Sequence, residues 1–207
     1  MRITHYGHAA LLIETDAGAR VLFDPGTMSS GFEDLRDLTA VVITHGHADH
    51  YDAAAIARLL EGNPHAVLLA DLETARGADA RPVAPGDHIV LPGVTIDVVG
   101  GAHAFVYGQE PTMANAGYLV DGGAYFHGGD SYELPGVAVD VLAVPISGPW
   151  VKLSESIDFA KAVAPRVAIP MHEAALAHTG QAHAMLRAFL PETTTVSALD
   201  RGVTTEI

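Results

Sequence analysis

The chain has 207 residues, 49% of them hydrophobic and 17% charged, which is the size and composition of one ordinary or slightly large domain with a buried core. Its 11 basic and 25 acidic residues give a formal net charge of −14, so long-range electrostatics disfavour nucleic acid and anionic membranes as partners. The sequence contains no cysteine, which excludes disulfides, thiolate metal ligands and a cysteine nucleophile. Any bound metal must therefore be held by nitrogen and oxygen atoms.

The start of the chain runs directly into strand-like sequence, and no uninterrupted apolar stretch is long enough to span a bilayer. No linker or low-complexity segment divides the chain. We therefore expect a single domain over residues 1–207 in a cytoplasmic protein. The expected partner is a small-molecule substrate rather than nucleic acid or a membrane, and the sequence leaves the oligomeric state open.

The first part of the chain is predicted to be mainly β-structure followed by one helix. Three short apolar runs separated by turns indicate an antiparallel meander that stops at Pro25-Gly26, and the β-branched run after it suits a buried strand. Asp52 stands where an N-cap belongs, so a helix is predicted over residues 52–61. The predicted strands cover residues 2–5, 9–14, 20–24 and 40–44.

The rest of the chain has a similar order of strands and helices. A hairpin is predicted around Pro92-Gly93, and helices are predicted over residues 154–164 and 180–190. Strands in blocks with helices between them suggest two packed sheets covered by helices, and the shared order suggests two similar halves. The other predicted strands lie near residues 66–70, 94–98, 115–120, 124–127, 140–144 and 166–170, with two more closing the chain.

The strongest chemical signal is the segment His45-Gly46-His47-Ala48-Asp49-His50, between a predicted strand and a predicted helix. Residues i and i+2 of an extended chain point the same way, so His45 and His47 can chelate one cation. Asp49 and His50 then diverge toward a second cation. A polar surface loop with an accidental cluster of histidines is the alternative, but this composition seldom produces such a string by chance.

Three further residues follow predicted strands, where a rigid sheet can present them to the same site. His103 and Asp130 each follow a Gly-Gly pair, and His172 follows an apolar strand. Each of them alone fits a capping carboxylate or a hydrogen-bonded histidine at a strand end about as well. Together with the loop they make two nearly complete sets of nitrogen and oxygen ligands.

Five stretches, spread over nearly the whole chain, carry a resemblance to a known family. They are Phe23-Asp24-Pro25-Gly26, the loop from His45 to His50, Ala102-His103, Gly128-Gly129-Asp130-Ser131 and Ile169-Pro170-Met171-His172. In this order they resemble the metallo-β-lactamase fold. Three more stretches are Tyr6-Gly7-His8-Ala9, Asn115-Ala116-Gly117-Tyr118 and Asp140 to Ile146. These resemble the branch that contains ascorbate-6-phosphate lactonase and many uncharacterised metal-dependent hydrolases.

The resemblance implies an α/β (α+β) fold, an αββα sandwich of two mixed β-sheets covered by helices, with a dinuclear metal site at one edge. It places Asp24 behind the ligand loop as a brace that orients ligands. It places His8 at the rim of the site, where a substrate contact, a bracing role and a purely structural role are all open. The implied ligands are His45, His47 and His103 for one ion, Asp49, His50 and His172 for the other, and Asp130 as the bridge between them.

The chain departs from some relatives of that fold in ways that restrict the function. Many true lactamases have a cysteine ligand, and because this chain has no cysteine, β-lactam hydrolysis is not expected. The loop carries His47 where diiron oxygen-reducing relatives have a carboxylate. Glu173-Ala174 follows His172 where many lactonase relatives have an aromatic residue and a glycine, so the resemblance does not specify the substrate.

The expected activity is metal-dependent hydrolysis. Two cations that share a water lower its pKa toward neutrality, so we expect a metal-bridging hydroxide to attack a carbonyl or phosphorus centre. The expected substrate is a small ester, lactone or phosphodiester, with Asp49 or His8 assisting proton transfer to the leaving group. Histidine and aspartate ligands suit zinc, manganese or iron, with zinc favoured. The competing hypotheses are a diiron redox or oxygen-binding protein and a metal-binding protein without turnover.

Three residues outside this set have an open role. His127 lies three residues before Asp130, and the glycines between them could fold it toward the site. Trp150 and Tyr107 stand in loop-like segments that could form walls of the site, although a lone aromatic residue more often serves packing.

Overall fold

Two seven-stranded sheets form the framework of the protein in a computed structural model, which describes residues 1–108 and 113–207. The strands of the first sheet are β1 (Arg2–His5), β2 (Leu11–Glu14), β3 (Arg20–Phe23), β4 (Ala40–Ile43), β5 (Val67–Asp71), β6 (Arg81–Val83) and β14 (Thr204–Glu206). Their spatial order is β14-β1-β2-β3-β4-β5-β6. From β14 to β3 the neighbours are antiparallel, and from β3 to β6 they are parallel.

The second sheet is built on the same plan. Its strands are β7 (His88–Leu91), β8 (Val94–Gly100), β9 (Ala116–Val120), β10 (Tyr125–His127), β11 (Val141–Pro145), β12 (Val167–Met171) and β13 (Thr195–Val196), in the order β13-β12-β11-β10-β9-β8-β7. Neighbours from β7 to β10 are antiparallel, and those from β10 to β13 are parallel. Both sheets are therefore mixed, as predicted, and each begins with antiparallel strands and continues with parallel ones.

Helices cover the outer faces of the sheets. They are α1 (Ala53–Glu61), α2 (Leu72–Ala75), α3 (Leu153–Val163) and α4 (Gly180–Phe189). Ile56 and Leu59 of α1 pack against the first sheet, and residues of α3 and α4 pack against the second. Asp52 caps α1 as predicted, because its carboxylate accepts hydrogen bonds from the backbone N–H groups of residues 54 and 55.

The main core lies between the two sheets. Side chains alternate across a strand, so Val21 and Phe23 of β3 face the second sheet while Leu22 faces the helix layer. Tyr118 and Tyr125 reach this core from the second sheet and are fully buried. The predicted αββα sandwich is thus confirmed, with apolar layers on both sides of each sheet.

The structure differs from the predicted elements in three places. It adds the four-residue α2 and the three-residue edge strand β6, which are too short to give a periodic signal. Strand β2 begins at Leu11 rather than at residue 9, because the chain turns between Gly7 and Ala10. Among the described residues, no helix has the length and apolar character needed to cross a membrane.

Candidate metal centre

The ligand loop, residues 45–50, leaves the end of β4 and leads into α1, so a rigid strand holds one end of it and a capped helix holds the other. Gly26 lies directly against this loop, and a β-carbon there would lie 1.9 Å from the carbonyl oxygen of Asp49. Only glycine fits such a close approach of two backbones. The Pro25-Gly26 turn therefore has two roles: it ends β3, and its backbone packs against the backbone of the ligand loop.

The turn that carries Asp130 is held in a similar way. Gly129 has a φ of +61°, and a β-carbon there would lie 2.4 Å from Asn115 Oδ1 and 2.6 Å from Thr44 Cβ. Asn115 clamps the turn from both sides, because its Nδ2 donates to the Gly128 carbonyl at 2.8 Å and its Oδ1 accepts from the Asp130 N–H at 3.1 Å. Asp130 is thus fixed against the end of β4.

These supports bring the seven residues predicted as ligands together in one place. The ligand atoms fall into two groups, and within each group all of them lie within 4.8 Å of one another. The first cluster consists of His45, His47, His103 and Asp130, and the second cluster consists of His8, Asp49, His50 and His172. The division matches the two predicted sets and adds His8 to the second cluster.

Asp130 lies between the two clusters. Its Oδ1 is 3.0 Å from His50 Nε2 and 3.2 Å from His172 Nε2. Its Oδ2 is 3.3 Å from His103 Nε2 and 3.9 Å from His45 Nε2. One oxygen therefore faces each cluster, which is the arrangement that a bridging carboxylate requires.

Several buried atoms of the clusters have no hydrogen-bond partner among residues 1–108 and 113–207. Four of them are Asp130 Oδ1 and the Nε2 atoms of His50, His103 and His172, and the fifth is His172 Nδ1. A buried polar atom without a partner costs roughly 1–3 kcal/mol, so four in one place need an explanation. Metal ions would use the lone pairs of these atoms, and the nitrogen and oxygen donor set suits zinc, manganese or iron. The residues present therefore fit a metal centre.

Three of the histidines, His45, His50 and His103, are oriented through Nδ1, so that Nε2 is the ring nitrogen on the side of the centre. The Nδ1–H of His50 donates to Asp24 Oδ2 at 2.8 Å, and that of His45 donates to Thr44 Oγ1 at 3.0 Å. His103 Nδ1 donates to the carbonyl of Ala104 at 2.6 Å. Such contacts fix both the tautomer and the ring orientation of a metal-binding histidine.

Asp24 lies behind the ligand loop, at the position that the family resemblance implies for a brace. It is fully buried and accepts from Thr44 N and Thr44 Oγ1, both at 2.8 Å, as well as from His50. Burial alone would raise the pKa of its carboxyl group, but the His50 imidazole and hydrogen bonds from His127 and His50 hold that pKa well below its usual range. Asp24 is therefore a carboxylate at neutral pH.

The same opposition of burial and charge acts inside the clusters. Burial favours the neutral form of Asp130, yet the nearby His50 holds the pKa of this carboxyl group well below its usual range. Burial also disfavours a charged His50, but Asp130 and Asp24 raise its pKa well above the usual value. For His45 burial prevails and lowers the pKa. The carboxylates are thus ionised and ready to bind cations.

His8 lies inside the second cluster, 1% exposed, rather than at the rim where the resemblance placed it. Its backbone has a φ of 52°, in the left-handed region that few residues other than glycine adopt. Its Nδ1 accepts from the Ala174 N–H at 3.3 Å, so Nε2 carries the proton and donates to Asp49 Oδ2 at 3.0 Å. Glu173 Oε1 accepts from the His8 N–H at 3.0 Å. His8 therefore orients Asp49.

Trp150, His127 and Tyr107 take different places. Trp150 Nε1 donates to Asp130 Oδ2 at 2.8 Å, which sequence reasoning did not foresee because nothing in the local pattern reveals it. His127 is buried and reaches Asp24 rather than either cluster. Tyr107 is 94% exposed, so its side chain does not form a wall of the buried centre.

A cavity of about 630 Å³ lies beside the first cluster. His103 and Trp150 form the side of the cavity nearest the clusters, and aromatic and charged side chains form much of the remainder. These include Phe105, Tyr132, Glu133 and Lys152. A cavity of this volume suits a small molecule.

Comparison with known proteins agrees with this geometry. Residues 2–172 match the family model of the beta-lactamase superfamily domain. The chain belongs to this superfamily. It is 45% identical over 183 residues to protein Rv0786c of Mycobacterium tuberculosis, covering 86% of each chain. It is 32% identical over 200 residues to a UPF0173 metal-dependent hydrolase of Opitutus terrae, covering 83% of this chain and 84% of the relative.

Several solved structures have the same fold as this protein. Igni18, a metallo hydrolase from Ignicoccus hospitalis, aligns with a TM-score of 0.77 and 22% identity, over 100% of this chain and 98% of that one. CmlA, a diiron β-hydroxylase from Streptomyces venezuelae, aligns with a TM-score of 0.74 and 15% identity over 54% of its own chain. The protein is accordingly a metal-dependent hydrolase with the metallo-β-lactamase fold.

Proposed function

We propose that the protein is a dinuclear hydrolase that cleaves a small ester, lactone or phosphodiester, with one divalent ion in each cluster and Asp130 in contact with both. Zinc is the favoured metal, and manganese or iron would also suit the ligands. The observation that carries the proposal is the position of Asp130, whose two oxygens face different clusters. Two bound ions would lower the pKa of a shared water and polarise the substrate oxygen that receives negative charge.

The side chains of the second cluster supply proton transfer. Asp49 is 24% exposed, which makes it accessible from solvent, and its carboxylate is ionised because His8 and His50 hold its pKa low against the effect of burial. It can accept the proton of the attacking water and pass it to the leaving oxygen as the scissile bond breaks. His8 keeps Asp49 Oδ2 in one position for that transfer.

The cavity beside the first cluster receives the substrate. Aromatic faces of Phe105 and Tyr132 can pack against the apolar part of a small molecule, and Lys152 can pair with an anionic group. Glu133 and Glu155 also line the cavity, so charges of both signs meet the substrate and neutral or singly charged esters are compatible. The net charge of −14 favours a small-molecule substrate over nucleic acid or an anionic membrane as the partner.

The competing hypothesis is a diiron redox protein, since CmlA shares the fold. That likeness concerns the fold alone at 15% identity, and the first cluster holds His47 where diiron oxygen-reducing relatives have a carboxylate. Hydrolysis is therefore the better supported function.

The test combines metal analysis with a panel of lactones, esters and phosphodiesters, beside reductant-dependent oxygen uptake. We expect about two ions per chain and hydrolysis of at least one substrate class. Only trace metal after supplementation with zinc, manganese and iron would overturn the metal centre. Oxygen uptake without hydrolysis would favour the redox hypothesis, and two ions without turnover on any substrate would favour a metal-binding role.

A further inference from the structure

A chain of buried hydrogen bonds reaches the metal centre from the opposite sheet. The hydroxyl of Tyr125 lies 2.9 Å from His127 Nδ1, and His127 Nε2 lies 3.0 Å from Asp24 Oδ2. Tyr125 and His127 belong to β10 in the second sheet, whereas Asp24 follows β3 in the first. All three side chains are fully buried. The chain of hydrogen bonds therefore crosses the interior of the sandwich.

The direction of each hydrogen bond follows from the chemistry of its partners. An ionised carboxylate can only accept, so His127 must donate from Nε2 to Asp24. A neutral imidazole with its proton on Nε2 has a lone pair on Nδ1, and this lone pair accepts from the hydroxyl of Tyr125. Tyr125 thereby stabilises the tautomer of His127 that presents a donor to Asp24.

Asp24 in turn holds one predicted ligand of each cluster. His50 of the second cluster donates directly to Asp24 Oδ2 at 2.8 Å. Thr44 Oγ1 donates to the same oxygen at 2.8 Å and accepts from His45 of the first cluster at 3.0 Å. Any change in the position of Asp24 Oδ2 would therefore be passed to a ligand on each side of the centre.

His127 supplies the contact that fixes this oxygen from the second sheet. Asp24 has two other side-chain partners that donate to it, Thr44 and His50. Thr44 follows β4 and His50 lies in the ligand loop, so both belong to the segment that Asp24 supports. The ring of Phe23 stacks on His127 with 5.0 Å between centroids, so His127 has little freedom to rotate. His127 therefore holds Asp24 from the second sheet, outside the ligand loop that Asp24 supports.

We infer that Tyr125 and His127 are positioning residues for the metal centre: they anchor Asp24, and through it His50 and His45, to the second sheet. The inference rests on the proposed metal centre, and neither residue touches a metal ion or substrate. Partners of this kind behind a ligand typically change metal affinity by about 10- to 100-fold when they are removed.

The experiment measures Co²⁺ affinity by competition with a chelator, together with the visible absorption of the Co²⁺-loaded protein. Tyr125→Phe removes one oxygen atom from the core, and Tyr118→Phe is its matched control. Tyr118 is equally buried, packs on the same Phe23 ring, and donates its hydroxyl to the Ile43 carbonyl at 2.8 Å instead of to His127. We expect Tyr125→Phe to weaken Co²⁺ binding about tenfold and to shift the absorption bands. Tyr118→Phe is expected to change neither.

His127 is tested by two variants of different chemistry. His127→Leu removes the donor to Asp24 and is expected to weaken Co²⁺ binding by up to about a hundredfold. His127→Gln keeps an N–H donor and should recover much of the affinity. Melting curves establish that each variant is folded, and if His127→Leu does not fold, Tyr125→Phe decides the question.

Three results would overturn the inference. Equal Co²⁺ affinity and equal spectra for Tyr125→Phe and Tyr118→Phe would reduce the pair to core packing. Equal loss in His127→Gln and His127→Leu would show that the donor to Asp24 is not what matters. Failure of the wild-type protein to bind Co²⁺ would overturn the metal centre and this role together. That result is distinguishable from failure of the positioning role alone, because it is seen in the wild-type protein without any variant.

Discussion

The two clusters are similar in composition but differ in how their ligands are held. In the first cluster, neutral groups orient the histidines, since His45 donates to a hydroxyl and His103 donates to a backbone carbonyl. In the second cluster, the carboxylate of Asp24 orients His50, and Asp49 contributes a charge that His8 holds in place. A carboxylate behind a histidine raises its basicity and its strength as a ligand. We therefore expect the two clusters to differ in metal affinity although they offer the same number and kind of donors.

The clusters also differ in what lies next to them. The first cluster borders the cavity through His103, and Trp150 beside it already uses one lone pair of Asp130 Oδ2. In the second cluster, the turns that carry His8 and His172 are joined by a hydrogen bond from the His172 N–H to the His8 carbonyl at 2.8 Å, and Asp49 is the member with solvent access. We therefore expect the first cluster to meet the substrate and the second to retain its ion more tightly.

The largest effect is expected from removing the residue that the clusters share. Asp130→Ala should reduce turnover below detection, because no other carboxylate faces both clusters among the described residues. The fold should survive, as judged by circular dichroism, since the core between the sheets is untouched. Asp140→Ala is the control, as Asp140 is an exposed carboxylate paired with Arg166. Wild-type activity in Asp130→Ala would refute the bridging role.

The second largest effect is expected from removing both metal ions, which should lower the melting temperature. Ligands that bind only the folded state add about 3 to 4 kcal/mol at a hundred to a thousand times Kd, which corresponds to a melting temperature higher by roughly 5 to 15 °C. The metal-free protein should still fold, because a chain of this size buries a full core without metal. The measurement is a pair of melts, one after chelator is dialysed away and one after metal is restored. Identical curves would contradict the metal centre.

Because the two clusters hold their ligands differently, we expect a chelator to remove the ion of the first cluster before the ion of the second. In a chelator titration, the ion of the first cluster should be removed at a chelator concentration about tenfold lower than the ion of the second cluster. His47→Ala should abolish the weaker step and His172→Ala the tighter one, whereas His88→Ala, a surface histidine paired with Asp97, should keep both. If His172→Ala instead removes the weaker step, the assignment of affinities to the clusters is reversed.

A smaller effect on turnover than that of Asp130→Ala is expected at His8. Because its Nε2 donates to Asp49, His8→Ala should leave about two ions bound while lowering kcat roughly 10- to 100-fold. Metal analysis and steady-state kinetics on the same preparation provide the measurement, with His65→Ala as an exposed control. Loss of one ion in His8→Ala would instead make His8 a ligand of the second cluster.

Much of the fold could be predicted because its signals are local. The apolar run before His45, the capping Asp52 and the turn at Pro25-Gly26 each reveal a strand or helix boundary within a few residues. Strand β6 could not be found in this way, since it has three residues, includes Pro82 and lies at the edge of its sheet. Its pairing with β5 depends on the neighbouring strand and not on its own pattern.

The sequence by itself determined the candidate ligands, because the spacing from His45 to His50 and the strand ends before His103, Asp130 and His172 are properties of short segments. Only the tertiary structure decided what supports them. Tyr125 and His127 reach Asp24 across the two sheets, and Trp150 reaches Asp130 from another loop. Such contacts join residues that are far apart in the chain, so no local periodicity encodes them. The contacts of Tyr125 and His127 with Asp24 form because the two sheets pack together, and the Trp150 contact forms because two loops of the second sheet meet. Each buried polar group is thereby paired with a partner outside its own segment.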